Sequence, residues 1–416
     1  MTTEIIAKEL ELMAPAGTFA AMQAAIDNGA DSVYFGVEQL NMRARATMNF
    51  GIDDLEEVVQ RCSEKGVKSY ITLNTIMYDH DTRLYKRIIE AAHDAGISAV
   101  IASDQGVIMH AKIVGIPVHI STQLNVTNIE TVMFYAPFAD VMVLSRELTL
   151  TQVSKIRKAI IKLDVRGPKG ELVRLEVFGH GALCMAVSGK CFMSLHTFNS
   201  SANRGACLQN CRRKYTVIDK EEGFELDIDN EYIMSPKDLC TIGFLDKFRD
   251  AGIGVLKIEG RGKAPEYVAT TTRCYREAID ALKEGTYTEE KIEAWTEELA
   301  TVFNRGFWDG YYLGQKMGEW TNKSGGSTTR SKTFIGRARN FFAQPKVGEF
   351  LVEANSFSTG DSLLITGPTT GVIEFDVGEL RVKDEVVNSA NRGDNVTFVT
   401  NLRVRKNDRL YKMENI

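Results

Sequence analysis

The run Leu10-Glu-Leu-Met-Ala14, Pro15-Ala16-Gly17, Thr18 through Asn28, Gly29, then Asp31-Ser-Val-Tyr-Phe-Gly36 decides the fold. It reads as an apolar strand, a tight turn, a helix capped by the Thr18 hydroxyl and stopped by Gly29, and a second strand. The unit recurs. Helix Asp53 to Lys65, stopped by Gly66, leads to strand Lys68 to Asn74. Helix Thr82 to Asp94, stopped by Gly96, leads to strand Ser98 to Ser103. The same rhythm predicts strands Val118 to Thr122 and Asp140 to Ser145, a helix over Leu150 to Ile161, and strands Arg174 to Gly179 and Val255 to Glu259. Strands alternating with amphipathic helices imply right-handed crossovers and a parallel sheet. Eight of them match an α/β fold of the (β/α)8 TIM-like barrel class, with a doubly wound open sheet as the runner-up.

Working outward, residues 1–285 are expected to form the barrel, with a cysteine-bearing insertion over 180–240. Residues 286–332 read as a helical extension and a linker, the latter over the Ser-, Thr- and Gly-rich stretch Asn322 to Thr329. Beyond it the hydrophobic period drops to two. Runs Phe334 to Arg339, Val347 to Val352, Ser362 to Ile365, Val372 to Phe375, Asn395 to Val399 and Arg409 to Lys412 predict a small all-β barrel domain over 333–416.

The 416 residues carry a net charge of only -5, which excludes a cationic nucleic-acid coat but not a local basic groove. No apolar run of about 18 residues and no secretory leader is found, so a cytoplasmic protein with no membrane partner is expected. There are seven cysteines, an odd number in such a chain, which argues against a disulfide framework. Five of them fall at Cys184, Cys191, Cys207, Cys211 and Cys240, spaced C-x6-C-x15-C-x3-C-x28-C from the end of the seventh strand, where barrel enzymes build active sites. Without a C-x2-C knuckle, the spacing suits an iron–sulfur cluster better than a zinc ribbon. Cys62 and Cys274 lie inside amphipathic helices and read as core thiols.

The run Glu176-Val-Phe-Gly-His-Gly-Ala-Leu-Cys184-Met-Ala-Val-Ser-Gly-Lys-Cys191-Phe-Met-Ser194 resembles the signature of peptidase family U-32, the collagenase-like peptidases. Met13 to Gly17, Met42 to Arg45, Ser121 to Asn125, Asn203 to Cys207, Ser235 to Cys240 and Lys257 to Arg261 are similar to other stretches of that family. The resemblance implies a function that the family name contradicts: oxygen-independent hydroxylation with a 4Fe-4S cluster. This chain is most similar to the branch forming 5-hydroxyuridine at the tRNA wobble position, with prephenate supplying the hydroxyl. It implies Cys184, Cys191, Cys207 and Cys240 as cluster ligands, with Cys211 able to replace one of them. A paralogous partner subunit is the further partner it suggests.

Two alternatives stand beside it: an endopeptidase, as the family name states, and a cluster-bearing RNA-binding subunit that needs a paralogue. The residues themselves speak against proteolysis, for no H-E-x-x-H and no G-x-S-x-G occurs. His180, between two glycines, and Glu259 are the candidate catalytic groups. Arg43, Arg45, Arg204, Lys257 and Arg261 are the candidate binders of a dicarboxylate, because guanidinium forks hold such groups bidentately. Arg337, Arg339, Arg403, Arg405, Lys406 and Arg409 tilt the C-terminal module toward basic charge and mark it as a candidate RNA surface.

Overall fold

In the computed structural model, strand β1 (Glu11–Pro15) pairs with β2 (Ser32–Gly36), and the parallel sheet continues through β3 (Lys68–Leu73), β4 (Ala99–Ala102), β5 (Val118–Ile120), β6 (Val141–Val143) and β7 (Arg174–Gly181). The residues described are 10–45, 49–216, 220–221, 232–314, 318–323 and 325–416. A short β8 (Asp238–Cys240) follows, antiparallel to the end of β7, and then β9 (Val255–Ile258) lies parallel to both β7 and β1. Val255 is in register with Glu176 on one side and Glu11 on the other, so the ring closes. That closure removes the open-sheet alternative.

The strands divide their side chains by period two. Leu12, Ala14, Val33, Phe35, Val100, Leu175 and Leu256 face the helical layer, whereas Met13, Tyr34, Tyr70, Ile101, Val141 and Val255 fill the barrel interior. Each fully buried aliphatic contributes about 1.5–3 kcal/mol. Local chemistry sets the helices. These are α1 (Phe19–Asp27), α2 (Leu55–Ser63), α3 (Thr82–Asp94), α4 (Gln105–Val114), α5 (Ile129–Tyr135), α6 (Leu150–Lys162), a short α7 (Met193–Phe198) in the insertion, α8 (Leu245–Asp250), α9 (Pro265–Glu284) and α10 (Glu289–Ala300). The Thr18 hydroxyl accepts from the Ala21 amide, Asp104 caps α4, and Gly115 ends it in the left-handed region. On α3, Tyr85, Ile88, Ile89 and Ala92 form the buried stripe. No described helix is long and apolar enough to cross a membrane.

The stretch read as a linker is tied down: the amides of Ser327 and Thr329 donate to Asn304 and Ala300 at the end of α10. The C-terminal strands form an antiparallel eight-stranded sheet around a core that includes Ile335, Phe350, Leu363, Val396 and Leu410. The six runs predicted by period two are present, and Arg330–Phe342 is much longer than expected. Leu380–Val382, Glu385–Val387 and two pairing dipeptides are too short to carry a period and escape sequence reading. This module leans on the barrel near α1, where Gly371 approaches Asp27 and Gln23, and through the Lys332–Glu266 ion pair.

Candidate active site

At the C-terminal ends of the barrel strands a cavity of about 410 Å³ opens between the strand tips and the insertion after β7. Tyr34, Thr72, Val143, Phe178 and Lys257 reach it from β2, β3, β6, β7 and β9, and Asn74, Gln123, Arg146, Glu259 and Arg261 from the loops that follow. Seven cationic side chains line it (Arg43, Arg146, Arg212, Lys257, Arg261, Lys263 and Arg305), against one carboxylate, Glu259. Such a wall favours an anionic occupant.

Four thiols, Cys184, Cys191, Cys207 and Cys211, line the same cavity from the insertion side. Burial raises the Cys211 thiol above its ordinary range, Arg212 draws it down, and Cys184, Cys207 and Cys191 each push it up, so these groups sense one another's charge. The loop is pinned in place. Asn203 accepts from the Cys191 amide (3.1 Å), Asn125 donates to the Ser188 carbonyl (3.2 Å), and Arg212 donates to the carbonyls of Leu183 and Pro236. Gly189, at φ +72°, lies flat against Gln123, where a Cβ would meet Cγ at 2.9 Å.

Cys240 stands apart from the four. β8 folds back on β7, placing Cys240 opposite His180, and its sulfur accepts from the Tyr275 hydroxyl at 3.9 Å. Burial pushes this thiol up to about 11. It does not line the cavity. No three His, Cys, Asp or Glu side chains among the described residues stand close enough to share one metal ion. Each thiolate of a 4Fe-4S cluster binds a different iron, so its ligands are spaced more widely than those of a single ion, and a set of four soft thiols on one wall suits that group.

Below the thiols, charged groups are stacked inside the barrel. Arg43 donates to Glu259 Oε1 from Nη2 (2.7 Å) and Nε (3.2 Å). Burial would raise the Glu259 carboxyl, but Arg43, Arg146 and Arg261 hold it down at about 2. Arg261 donates to Asn41 (3.0 Å) and Thr72 (2.7 Å). Arg146 lies over the Phe178 ring (3.9 Å) and donates to the Ala182 carbonyl. The Nε–H groups of Arg146 and Arg261 are buried without a hydrogen-bond partner, a costly state. One layer deeper, Lys257 Nζ donates to Glu176 Oε1 at 2.8 Å, both residues being buried. His119 Nδ1 lies 3.7 Å from Glu176 Oε2, too long for a hydrogen bond, so that contact is electrostatic only.

The sequence candidates therefore separate. Arg43, Lys257, Glu259 and Arg261 converge on the cavity, although the Lys257 ammonium is engaged by Glu176. Arg204 is held by Asp81 and the Ile76 carbonyl, and neither it nor the exposed Arg45 lines the cavity. His180 is buried among Tyr267, Tyr275 and Phe307, with Nδ1 3.3 Å from the Tyr275 hydroxyl. Burial lowers it to about 3, so it is a neutral imidazole in the wall. Its flanking glycines serve packing: a Cβ on Gly179 would meet Leu256 at 2.4 Å, and one on Gly181, at φ +102°, would meet the Glu259 carbonyl at 2.4 Å. Sequence reasoning missed Lys263, which lines the cavity over the Phe303 ring and which burial lowers to about 7. Arg146, from the charged Arg146-Glu147 pair that the sequence places on the rim after the sixth strand, lines the cavity too, although it was not among the binding candidates.

Residues 17–322 match the family model described as Peptidase family U32. A collagenase of Porphyromonas gingivalis is 54% identical over 98% of this chain and 98% of its own length. An uncharacterized protease of Methanocaldococcus jannaschii is 38% identical over 97% of this chain and 98% of its own. The tRNA hydroxylation protein P1 of Bacillus subtilis is 31% identical over 88% of this chain and 85% of its own.

Proposed function

The chain belongs to peptidase family U32, and from that premise we propose that it is an iron–sulfur enzyme that hydroxylates tRNA, forming 5-hydroxyuridine at the wobble position with prephenate as hydroxyl donor. The observation that carries this reading is the pairing, on one cavity, of four thiols with a wall of seven cations and one carboxylate. Cys184, Cys191, Cys207 and Cys211 would hold a 4Fe-4S cluster, with Cys211 taking the position that the family resemblance gave to Cys240. When bound, such a cluster supplies redox-active iron. Arg146 and Arg261 line the cavity, where guanidinium forks would hold the carboxylates of the donor. Glu259, held ionised by Arg43, orients that guanidinium and keeps the cavity's charge from being wholly positive. Lys263, near neutrality at about 7, is the cavity group best matched to accepting and returning a proton.

Proteolysis, the activity named for the Porphyromonas relative, is the competing reading. A thiol peptidase needs a base within reach of its cysteine. No histidine is among the residues lining this cavity, and His180 is turned into the wall. Anaerobic purification tests the proposal: iron, sulfide and an absorption band near ~400 nm are expected of a thiolate-bound cluster. Nucleosides of tRNA from a strain lacking the protein should then lose 5-hydroxyuridine and regain it on complementation. Unaltered tRNA together with gelatin cleavage by the purified chain would overturn the hydroxylase reading.

A further inference from the structure

The cavity has a second wall, and it carries no charge. Apart from Arg43, the cations that line it come from the chain beyond β6, whereas the arc of β3 and β5 contributes Thr72, Asn74, Ser121, Thr122 and Gln123, all neutral. Three of these form a one-way relay of hydrogen bonds. It starts at the Met42 backbone amide, a group that can only donate, which gives its hydrogen to Asn74 Oδ1 at 3.3 Å. Asn74 must then present Nδ2, which donates to Ser121 Oγ at 3.2 Å and to Gln123 Oε1 at 3.3 Å. The Ser121 hydroxyl donates to the same Gln123 oxygen. Both lone-pair sites of Oε1 are therefore taken, and what Gln123 has left to offer the cavity it lines is the Nε2 amide, which has no hydrogen-bond partner among the described residues. Gly189 packs against Cβ and Cγ of the same side chain, so the stem is clamped from the insertion side.

We propose that Gln123 is the residue that selects the base: its fixed N–H donates to the C4 carbonyl oxygen of a uracil flipped into the cavity and refuses the C4 amino group of cytosine. This inference rests on the tRNA-hydroxylating reading and assigns the specificity of that same site. The two reactants of that reaction differ in charge. A dicarboxylate takes the cationic wall, and a nucleobase, which is neutral, is matched by the neutral one. A cavity of about 410 Å³ admits a base outside its helix and not a duplex, so the base must leave its stack. Met42, Met185 and Met193 line the same cavity and offer polarizable thioethers to the ring. Uracil and cytosine differ at C4, where one presents an acceptor and the other a donor. An amide free to turn over would serve either base. This one is not free, since turning it would set Nε2 against Asn74 Nδ2 and leave the Ser121 hydroxyl without its acceptor. Gly189, the contact of Gln123, stands two residues from Cys191, so a base held there lies on the thiol side of the cavity.

Fluorescence anisotropy on the anaerobically reconstituted protein tests this, with two RNA hairpins that differ only in carrying uridine or cytidine at one loop position. The parent should favour the uridine loop by roughly tenfold or more, the cost of setting one desolvated donor against another. Gln123→Glu keeps the side-chain shape and the acceptor for Asn74 and Ser121 but turns an oxygen to the cavity; a carboxylate accepts from the cytosine amino group, so the preference should reverse. Gln123→Ala should bind the two loops alike. Replacing Asn74 and Ser121 together by Ala leaves Gln123 in place but frees its amide to turn, and discrimination should shrink to within about threefold. Iron content and the midpoint of thermal unfolding report integrity in every variant, and a Gln123 that merely packs would lose affinity for both loops with the preference intact. A parent that binds both loops alike, or a Gln123→Glu protein that keeps the parent's uridine preference, would overturn the inference. So would 5-hydroxyuridine formed equally well by the parent and Gln123→Ala, a result that leaves hydroxylation standing. A preference that Gln123→Glu reverses, with no hydroxylated nucleoside formed by the parent, would sink the hydroxylase reading alone.

Discussion

Replacing Lys257 by Met separates a core ion pair from a substrate contact. Lys257 lines the cavity, yet its ammonium lies 2.8 Å from Glu176 Oε1 inside the barrel, and Glu176 is fully buried. Burial alone would raise the Glu176 carboxyl, whereas Lys257 and His119 bring it below its ordinary value. Methionine keeps the apolar stem against Tyr34 and Phe178 but removes the charge, leaving a carboxylate with only the 3.7 Å contact to His119. Breaking a buried pair on one side costs about 3–5 kcal/mol, because the remaining charge is uncompensated. Glu176 stabilises the native fold above its unfolded-state pKa and loses that contribution as pH falls through its depressed folded value. Without Lys257 the folded value rises, the variant takes up a proton, and its deficit relative to the parent shrinks as the solution is acidified. Urea unfolding of the parent, Lys257→Met, and Lys257→Met with Glu176→Gln at neutral pH and near pH 5 measures all of this. The double variant should recover most of the loss, since a neutral amide is far cheaper to bury. A single variant within about 1 kcal/mol of the parent, or a double variant less stable than the single one, would refute the reasoning.

Three further outcomes are expected. Cys211→Ala should abolish most of the iron and sulfide bound after anaerobic reconstitution, while Cys240→Ala retains them, because only the former sulfur shares the cavity with Cys184, Cys191 and Cys207; the reverse result would restore Cys240 as the ligand. His180, near 3 when folded against an ordinary 6.5, stays neutral in the fold but takes up a proton when unfolded below that value. Its contribution is therefore present above pH 6.5 and falls by about 2 kcal/mol by pH 5, and His180→Gln should flatten the pH dependence of unfolding by that amount without removing hydroxylation. Arg261→Ala should weaken prephenate saturation about tenfold to a hundredfold, from loss of a charged hydrogen bond worth roughly 1.5–3 kcal/mol, whereas Arg45→Ala leaves it unchanged; equal effects of the two would remove the cavity as the donor site.

Much of the barrel was legible because its signals are local. All eight predicted strands are present, since each is a short apolar run closed off by a capping hydroxyl, an Asx residue or a left-handed glycine within a few positions. The cysteine cluster was legible as a cluster, and Arg43, Glu259 and Arg261 as a convergent set, because barrel topology brings strand ends to one rim. Arg204 and His180 were not separable from these by pattern. One is neutralised by Asp81, 123 residues away in the chain, and the other by an aromatic cage drawn from α9 and Phe307. Lys263 carried no signal, for burial against Phe303 and Tyr267 is what lowers it.

By itself the amino-acid sequence determined the order of elements, the alternation of faces and the concentration of thiols after the seventh strand. These follow from chemistry within a turn or two of chain. Which thiols share the cavity, and whether a rim cation faces an occupant or a buried carboxylate, was decided only by tertiary structure. A three-residue strand folding back on β7 turns Cys240 toward Tyr275, and a closed barrel sets Lys257 against Glu176. Both are contacts between segments tens of residues apart, and no local pattern encodes them.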